Sequence, residues 1–334
     1  MELEIRLTET TSKVYIEQGS RLHLKDYMDL DCKVMVITDE GVPEQYRNEV
    51  LEQCKEGYLF VAHQGEGTKS FTVYTQIIER LLELDFSRKD MILALGGGVI
   101  GDLSGFVAAT FKRGMRYVSI PTTTLSQIDS SIGGKTAVNV GNVKNVAGTF
   151  YHPEVVLIDI QTLETLPKRH FYNGLVEAVK AGMIADEKLF SLFENTKNIK
   201  EDLEEMIIRA LRVKKAVVEQ DEKEKNIRKI LNFGHTIGHA IESVYELHGY
   251  YHGECVGMGM LMILDDEQIR SRLRNVLLKL EIPLHVPYDE NEVIHFIKKD
   301  KKANGKYVTI VQVKKIGEAE LLPIEIESLR GNKL

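Results

Sequence analysis

The chain reads as an α/β protein: a Rossmann-like parallel sheet in an N-terminal domain, followed by a mainly α-helical C-terminal domain. Three observations predict this. Short apolar runs alternate with helical periodicity through the first half. A run of glycines separates one of these strands from a helix. Past Leu166 the strand signals nearly vanish, and apolar residues recur at three- and four-residue spacing. The 334 residues suffice for two domains, and the change of pattern divides them at 1–165 and 166–334.

The elements follow in order. Residues 1–6 alternate like a strand. Residues 34–38 form an apolar run ending at Asp39, and residues 58–62 a second. Val73, Ile77, Ile78, Leu81 and Leu82 mark a helix over 72–84. Residues 91–95 form a strand that runs into Gly96, Gly97 and Gly98, with later strands at 117–120 and 155–158. Strands that are apolar throughout, between helices, indicate a parallel sheet buried on both faces. In the second half, Leu175, Val176, Val179 and Met183 mark one helix. Leu203, Met206, Ile207, Ala210, Leu211 and Val217 mark another, and Phe233, Ile237, Ala240, Ile241 and Val244 a third. Residues 219–228 read as a solvated helix end or loop, and a strand signal returns only at 306–313.

Composition narrows the function. Hydrophobic residues make up 43% and charged residues 28%, enough apolar material for a globular core. The net charge of -7 argues against a nucleic-acid surface, so local basic clusters point to a small anionic ligand. Cys32, Cys54 and Cys255 are widely spaced and odd in number, which fits a reducing compartment without disulfides. No stretch approaches ~20 apolar residues, and the first residues resemble neither a signal nor a transit peptide. A cytoplasmic protein without a membrane partner is the expectation.

Gly96, Gly97 and Gly98, followed by Val99, Ile100, Gly101 and Asp102, open a helix directly after a strand. Glycines there let backbone N–H groups approach a pyrophosphate, and the helix N-terminus favours its charge. The spacing departs from G-x-G-x-x-G, so a plain tight turn is the bland alternative. Asp39, at a strand end, suits a ribose hydroxyl or, more simply, a turn. The loop 64–69 and the hydroxyl-rich turn 121–124 also follow strands, where such a sheet presents its ligand face. Residues 129–136 resemble a phosphate cradle but lack the Walker spacing, so a P-loop nucleotidase is not supported. Lys135, Lys144, Asn145 and Arg113 suit a compact phosphorylated anion if they converge, and are ordinary surface charges if they do not.

His235 and His239 stand four apart on one helical face, as in zinc-binding pairs, although no Glu follows the first. His252 and Glu254 come soon after, and Glu177 lies on an earlier helix. Two His and one Glu would leave a coordination position open for substrate oxygens. Asn173, Glu177 and Lys180 share one helix face, which is either solvated or turned inward on a ligand. His248 reads as a packed or surface residue.

Together, the stretches 96–102, 121–139, 144–153, 166–180, 231–242 and 252–259 resemble the 3-dehydroquinate synthase family, in order and over most of the chain. The segment after Met260 looks shortened, with Asp300, Lys301, Lys302 and Gly305 as its landmark. The resemblance implies a dehydroquinate synthase-like fold, with NAD on the first domain. It implies Glu177, His235 and His252 as metal ligands, with His239 a polar or proton-relay neighbour. Lys135, Lys144, Asn145, Arg113 and one of Lys301 and Lys302 would hold the substrate phosphate. Lys180, Lys214, Asn232 and Arg228 would hold its carboxylate and hydroxyls. The NAD contacts would be Asp39, Glu66, Lys69, Gly98, Val99, Ile100, Gly101, Asp102, Thr122, Thr123, Thr162, Leu163, Glu164 and Thr165. Lys135 and Lys144 also lie within reach of the cofactor, and Asp129 lies near the nicotinamide end.

Family members close 3-deoxy-D-arabino-heptulosonate 7-phosphate into 3-dehydroquinate, a shikimate-pathway step toward chorismate and the aromatic amino acids. They do so by transient oxidation with NAD, phosphate elimination, re-reduction and intramolecular aldol closure, with zinc or cobalt as the divalent metal. A homodimer is the default assembly. Three rivals stand beside this reading: another sugar phosphate cyclase, sharing the NAD and metal residues but differing at Lys214 and Arg228; a metal-dependent polyol dehydrogenase, which the same two-domain plan suits and which would accumulate NADH; and a non-enzymatic NAD- or metal-binding module, which would bind ligands without turnover.

Overall fold

The structure, a computed structural model, describes residues 1–141, 143–245, 249–299 and 303–331. The chain divides into two compact units, Met1–Pro167 and Lys168–Leu334.

The first unit contains, in order, β1 (Glu2–Arg6), β2 (Thr11–Ile16), β3 (Lys33–Asp39), α1 (Glu44–Leu51), β4 (Glu56–Ala62), α2 (Phe71–Glu83), β5 (Met91–Gly96), α3 (Gly98–Thr110), β6 (Arg116–Pro121), β7 (Lys135–Val140), β8 (Val143–Phe150) and β9 (Val155–Ile158). Seven strands form one sheet in the order β1-β2-β9-β6-β5-β3-β4, and β7 and β8 pair separately as a hairpin. Every pair in the large sheet is parallel except β1 with β2. The unbroken apolar runs have a direct cause. Met35 and Ile37 of β3 and Ile92 and Ala94 of β5 enter a core with Ile77, Leu81, Ile100, Leu103 and Val107 of α2 and α3. Val34 and Val36 of β3 and Leu93 and Leu95 of β5 enter a second core with Tyr46 and Val50 of α1. Both faces of these central strands are dry, so neither parity of residue is free to be polar.

Strand order matters for function. From β3 the chain steps outward to β4, then returns to the other side of β3 for β5. The winding direction therefore reverses between β3 and β5, which leaves a crevice at their C-terminal ends, the usual ligand position in such sheets. The register pairs Thr38 with Leu95 and Gly96 with Pro121, so Asp39, the glycine turn and the 121–124 turn come out on one edge.

The second unit contains α4 (Lys168–Ala185), α5 (Glu187–Asn195), α6 (Ile199–Gln220), α7 (His235–Val244), α8 (His252–Ile263), α9 (Glu267–Lys279), α10 (Glu290–Lys299) and a small antiparallel sheet of β10 (Ala303–Asn304), β11 (Tyr307–Lys315) and β12 (Glu318–Glu325). Helix α4 is predicted from four apolar positions, and thirteen of its residues are buried. Helices α7 and α8 meet along a seam of glycines. A methyl group on Gly259 would stand 2.1 Å from the Gly234 carbonyl oxygen, and one on Gly238 2.9 Å from that of Cys255. Their separation is therefore set by backbone against backbone. Among the described residues, no helix is long and apolar enough to cross a membrane.

Candidate functional site

In the first unit the glycine turn forms as expected. β5 ends at Gly96, Gly97 is extended, and α3 begins at Gly98. The first turn of α3, with Gly98, Val99, Ile100, Gly101 and Asp102, has no side-chain cap, and N–H groups at a helix start suit an anion. Asp39 stands at the end of β3, but its Oδ1 already accepts from the Gly41 N–H at 2.8 Å, which is the turn role of the bland alternative. Burial pushes its carboxyl above the usual range despite the backbone N–H groups of Gly41 and Val42.

Thr122 and Thr123 follow β6. The Thr122 N–H donates to the Gly96 carbonyl at 3.0 Å, and Thr123 is held by Ser126. Thr162, Leu163, Glu164 and Thr165 fall in a 3₁₀ turn, Ile160–Thr165, after β9. One buried side chain joins the two stretches. Gln127 Nε2 faces the Pro121 carbonyl at 3.0 Å, the Asp159 carbonyl at 2.9 Å and Thr162 Oγ1 at 3.0 Å. Sequence reading missed Gln127, since a lone glutamine carries no periodic signal.

The basic residues group more selectively. Lys69 is 4% exposed; its Nζ donates to Asp102 Oδ2 at 2.5 Å and to Asn145 Oδ1. Asn139 completes the link: its Nδ2 donates to Glu66 Oε1 at 2.8 Å, and its Oδ1 accepts from the Asn145 N–H at 2.8 Å. The loop carrying Glu66 and Lys69, the start of α3 and the hairpin carrying Asn145 are thus brought together. Lys135 opens β7 and lines a hollow with Gly97, Asp102, Ser130 and Thr136. Asp129 sits in the helical turn Ser126–Ser130 beside it, and Lys144 is exposed on β8. Arg113 is not brought to this group within the chain. It follows the C-terminal end of α3, whose last residue, Thr110, stands eight residues beyond Asp102, roughly 12 Å at 1.5 Å per residue.

In the second unit the metal candidates meet. Asn173, Glu177 and Lys180 are 6%, 2% and 3% exposed, which rules out the solvated-face alternative. Glu177 Oε1 lies 3.6 Å from His235 Nε2 and 3.4 Å from His252 Nε2, while Lys180 Nζ pairs with Oε2. Neither carboxylate oxygen makes a hydrogen bond of ordinary geometry. Ligands ~2.0–2.1 Å from a tetrahedral zinc stand roughly 3.4 Å apart, so this spacing fits one divalent cation between them. His239 joins the cluster: its ring centroid is 5.0 Å from that of His235 and 5.5 Å from that of His252. Nitrogens of all three imidazoles lie within 4.8 Å of one another.

The surroundings orient these groups. His235 Nδ1 is 3.0 Å from the Phe233 carbonyl, which can only accept, so Nδ1 carries a proton and Nε2 is the nitrogen left to meet a metal. His252 Nδ1 faces Glu242 Oε2 at 3.3 Å, a carboxylate-to-histidine pair of the kind that backs metal ligands. Burial alone would lower the His252 pKa, but the carboxylates of Glu177 and Glu242 on either side of the ring outweigh it and push it up to about 9. Burial would likewise raise Glu177; the Lys180 charge, with help from His252, instead brings it down to about 2. Asn173 sets the start of α8: its Oδ1 accepts from the Gly253 N–H at 2.6 Å and the Glu254 N–H at 3.3 Å. Glu254 is not aimed at the cluster. It holds the Arg169 guanidinium and the Tyr251 N–H.

Lys214 on α6 is 7% exposed and Arg228 is 2% exposed, so the stretch 219–228 is only partly solvated. Arg228 and Asn232 share the 3₁₀ turn Ile227–Asn232, which packs against α4 and α6. Asn232 Nδ2 donates to Glu224 Oε1 at 3.0 Å, adding Glu224 to this group. Sequence reading passed over Glu224 as one acid within a charged run. Lys301, Lys302 and His248 lie outside the described residues.

A parallel-sheet unit followed by a mainly helical unit is the fold of the sugar phosphate cyclases. The chain resembles a 2-deoxy-scyllo-inosose synthase solved with carbaglucose-6-phosphate, NAD+ and Co2+ (TM-score 0.88, 24% identity, 100% of both chains). It also resembles the 2-epi-5-epi-valiolone synthase ValA of Streptomyces hygroscopicus, solved with NAD+ and Zn2+ (TM-score 0.86, 26% identity, 97% of this chain and 96% of that one). Models of the N-terminal and C-terminal parts of 3-dehydroquinate synthase match residues 59–173 and 174–303. The 3-dehydroquinate synthase of Dictyoglomus thermophilum is 42% identical over 96% of this chain and 94% of its own. The chain belongs to the 3-dehydroquinate synthase family.

Proposed function

We propose that the chain is a 3-dehydroquinate synthase, an NAD- and divalent-metal-dependent phosphate lyase converting 3-deoxy-D-arabino-heptulosonate 7-phosphate to 3-dehydroquinate and phosphate. The observation that carries this reading is the buried cluster of Glu177, His235 and His252 in a chain 42% identical to an enzyme of that name. The 24–26% identities to cyclases of other sugar phosphates make those activities the weaker reading.

Glu177, His235 and His252 would hold the metal, zinc or cobalt, and the first unit would hold NAD. Bound there, the metal supplies Lewis acidity toward substrate hydroxyl oxygens and NAD supplies reversible hydride acceptance. The chain's own residues do the rest. The start of α3, with Gly98, Val99, Ile100, Gly101 and Asp102, receives the pyrophosphate. Asp39, Glu66, Lys69, Thr122, Thr123, Asp129, Thr162, Leu163, Glu164 and Thr165 orient the dinucleotide. Lys135, Lys144 and Asn145 hold the phosphate that leaves, joined by one of Lys301 and Lys302. Arg228 offers a planar fork to a carboxylate, with Lys180, Lys214 and Asn232 beside it. His239, among the imidazoles, moves a proton at the substrate hydroxyls.

We take the working form to be a cytoplasmic homodimer that binds neither nucleic acid nor membrane. The decisive assay measures phosphate release from the heptulosonate phosphate beside absorbance at the NADH band. One phosphate per turnover with almost no accumulated NADH is expected. Stoichiometric NADH would make the chain a dehydrogenase, and release from glucose 6-phosphate alone would make it a different cyclase.

A further inference from the structure

We propose that Asp221 is a positioning residue, shaping the loop that presents Arg228 and Asn232 and so setting how tightly the substrate's carboxylate end is held. The substrate half of this rests on the function proposed above; the loop geometry does not.

Asp221 caps α6, its own N–H donating to the Val217 carbonyl at 3.1 Å. A carboxylate at the C-terminal end of a helix faces the negative pole of the backbone dipole, where a cation is favoured. A local rule broken inside a buried polar region points to a requirement elsewhere. Here the requirement is visible. Asp221 Oδ1 accepts from the Lys225 N–H at 2.9 Å, and Oδ2 accepts from the Asn226 N–H at 2.6 Å and the Arg228 N–H at 3.1 Å. Three backbone donors curl around one anion, and the residue is 9% exposed. Those hydrogen bonds hold the carboxyl below its usual range against the opposing effect of burial.

The fold of the loop then fixes two side chains. Arg228 Nη1 donates to the Glu222 carbonyl, and Asn232 Nδ2 donates to Glu224 Oε1 at 3.0 Å. Glu224 takes a left-handed conformation, φ 54°, which a non-glycine residue keeps only when its surroundings hold it. Asp221 supplies that hold: its three acceptor contacts bracket Glu224 on the C-terminal side, and α6 brackets it on the N-terminal side. Removing the carboxylate frees the backbone at 225–228 and leaves Arg228 and Asn232 in place chemically but poorly aimed.

The test compares wild type, Asp221→Ala and the isosteric Asp221→Asn in the full chain, loaded with zinc and NAD. Readouts are KM and kcat for phosphate release, zinc content, NADH affinity by fluorescence, and amide exchange at residues 225, 226 and 228. Asp221→Ala is expected to raise KM about tenfold or more while kcat stays within about threefold. Zinc content and NADH affinity should stay at wild-type levels, and exchange at the three amides should quicken by about tenfold. Asp221→Asn, which keeps one carbonyl acceptor, should fall between. Unchanged KM or unchanged exchange in Asp221→Ala overturns the proposal, as does a parallel loss of kcat, zinc and NADH binding, which would mark a general folding role. A wild type that releases no phosphate sinks the proposed function and this proposal's substrate with it; an active wild type with an unmoved KM in Asp221→Ala sinks this proposal alone.

Discussion

His252 ties the metal reading to pH. Its imidazole is held protonated up to about 9 by Glu177 and Glu242, against an ordinary value of 6.5. A cation on Nε2 must displace that proton, so affinity is linked to proton release. The sign follows: the folded pKa is raised, so the proton is held below about 9 and competition weakens as pH climbs toward that value. Zinc affinity, measured by chelator competition, should rise by up to about tenfold per pH unit between pH 6.5 and 9 and flatten above. Glu177 stays ionised down to about 2 and adds no slope in that window. A flat affinity profile would remove His252 from the ligand set. His235→Ala leaves only two of the proposed protein ligands and should weaken zinc by more than about a hundredfold; full stoichiometry in the purified variant would refute the assignment. These residues were only half legible in sequence. Spacing alone pairs His235 with His239, because periodicity sees one helix at a time. The third imidazole and the carboxylate arrive from α8 and α4, and only packing tells that the Glu177 face turns inward.

Helices α4 and α8 touch through backbone, and that contact carries its own test. A methyl on Gly253 would lie 2.0 Å from the Asn173 carbonyl oxygen, which no side-chain adjustment relieves. Gly253→Ala should cost about 1–3 kcal/mol in denaturant melts and weaken zinc as well, since His252 is the preceding residue. Wild-type stability in that variant would mean that the close approach is not tight in solution. On the hairpin, Lys135→Ala should weaken inorganic phosphate far more than NADH in parallel titrations; equal loss of both would place Lys135 in the cofactor site alone. The hairpin was not foreseen. β8 is exposed along nearly its whole length, so it has no apolar alternation to read. β12 escaped for a related reason: it is mostly exposed, rich in glutamate and carries Pro323, which belongs at a sheet edge. Strands β3, β5, β6 and β9 were legible because they are buried at nearly every position, whereas β2, which alternates buried and exposed residues, was not predicted.

For the whole molecule, two compact units predict two separate footprints. NAD should slow amide exchange around 96–102 and 121–124, and zinc around 235–239 and 252–254, each with little effect on the other's segments. Protection of the same segments by both ligands would contradict the division of labour proposed here. Strand order is what the sequence withheld at this scale. Apolar runs reveal that strands exist, yet nothing in them says that β5 lies beside β3 and so brings Asp39 to the same sheet edge as the glycine turn.

The Gln127 carboxamide has a mechanical corollary. With its Nε2 within 3.0 Å of the Pro121 and Asp159 carbonyls and Thr162 Oγ1, it ties two stretches remote in sequence into a single floor. Substitutions at its two margins should therefore interact strongly in double-mutant cycles, each weakening a part the other already relies on.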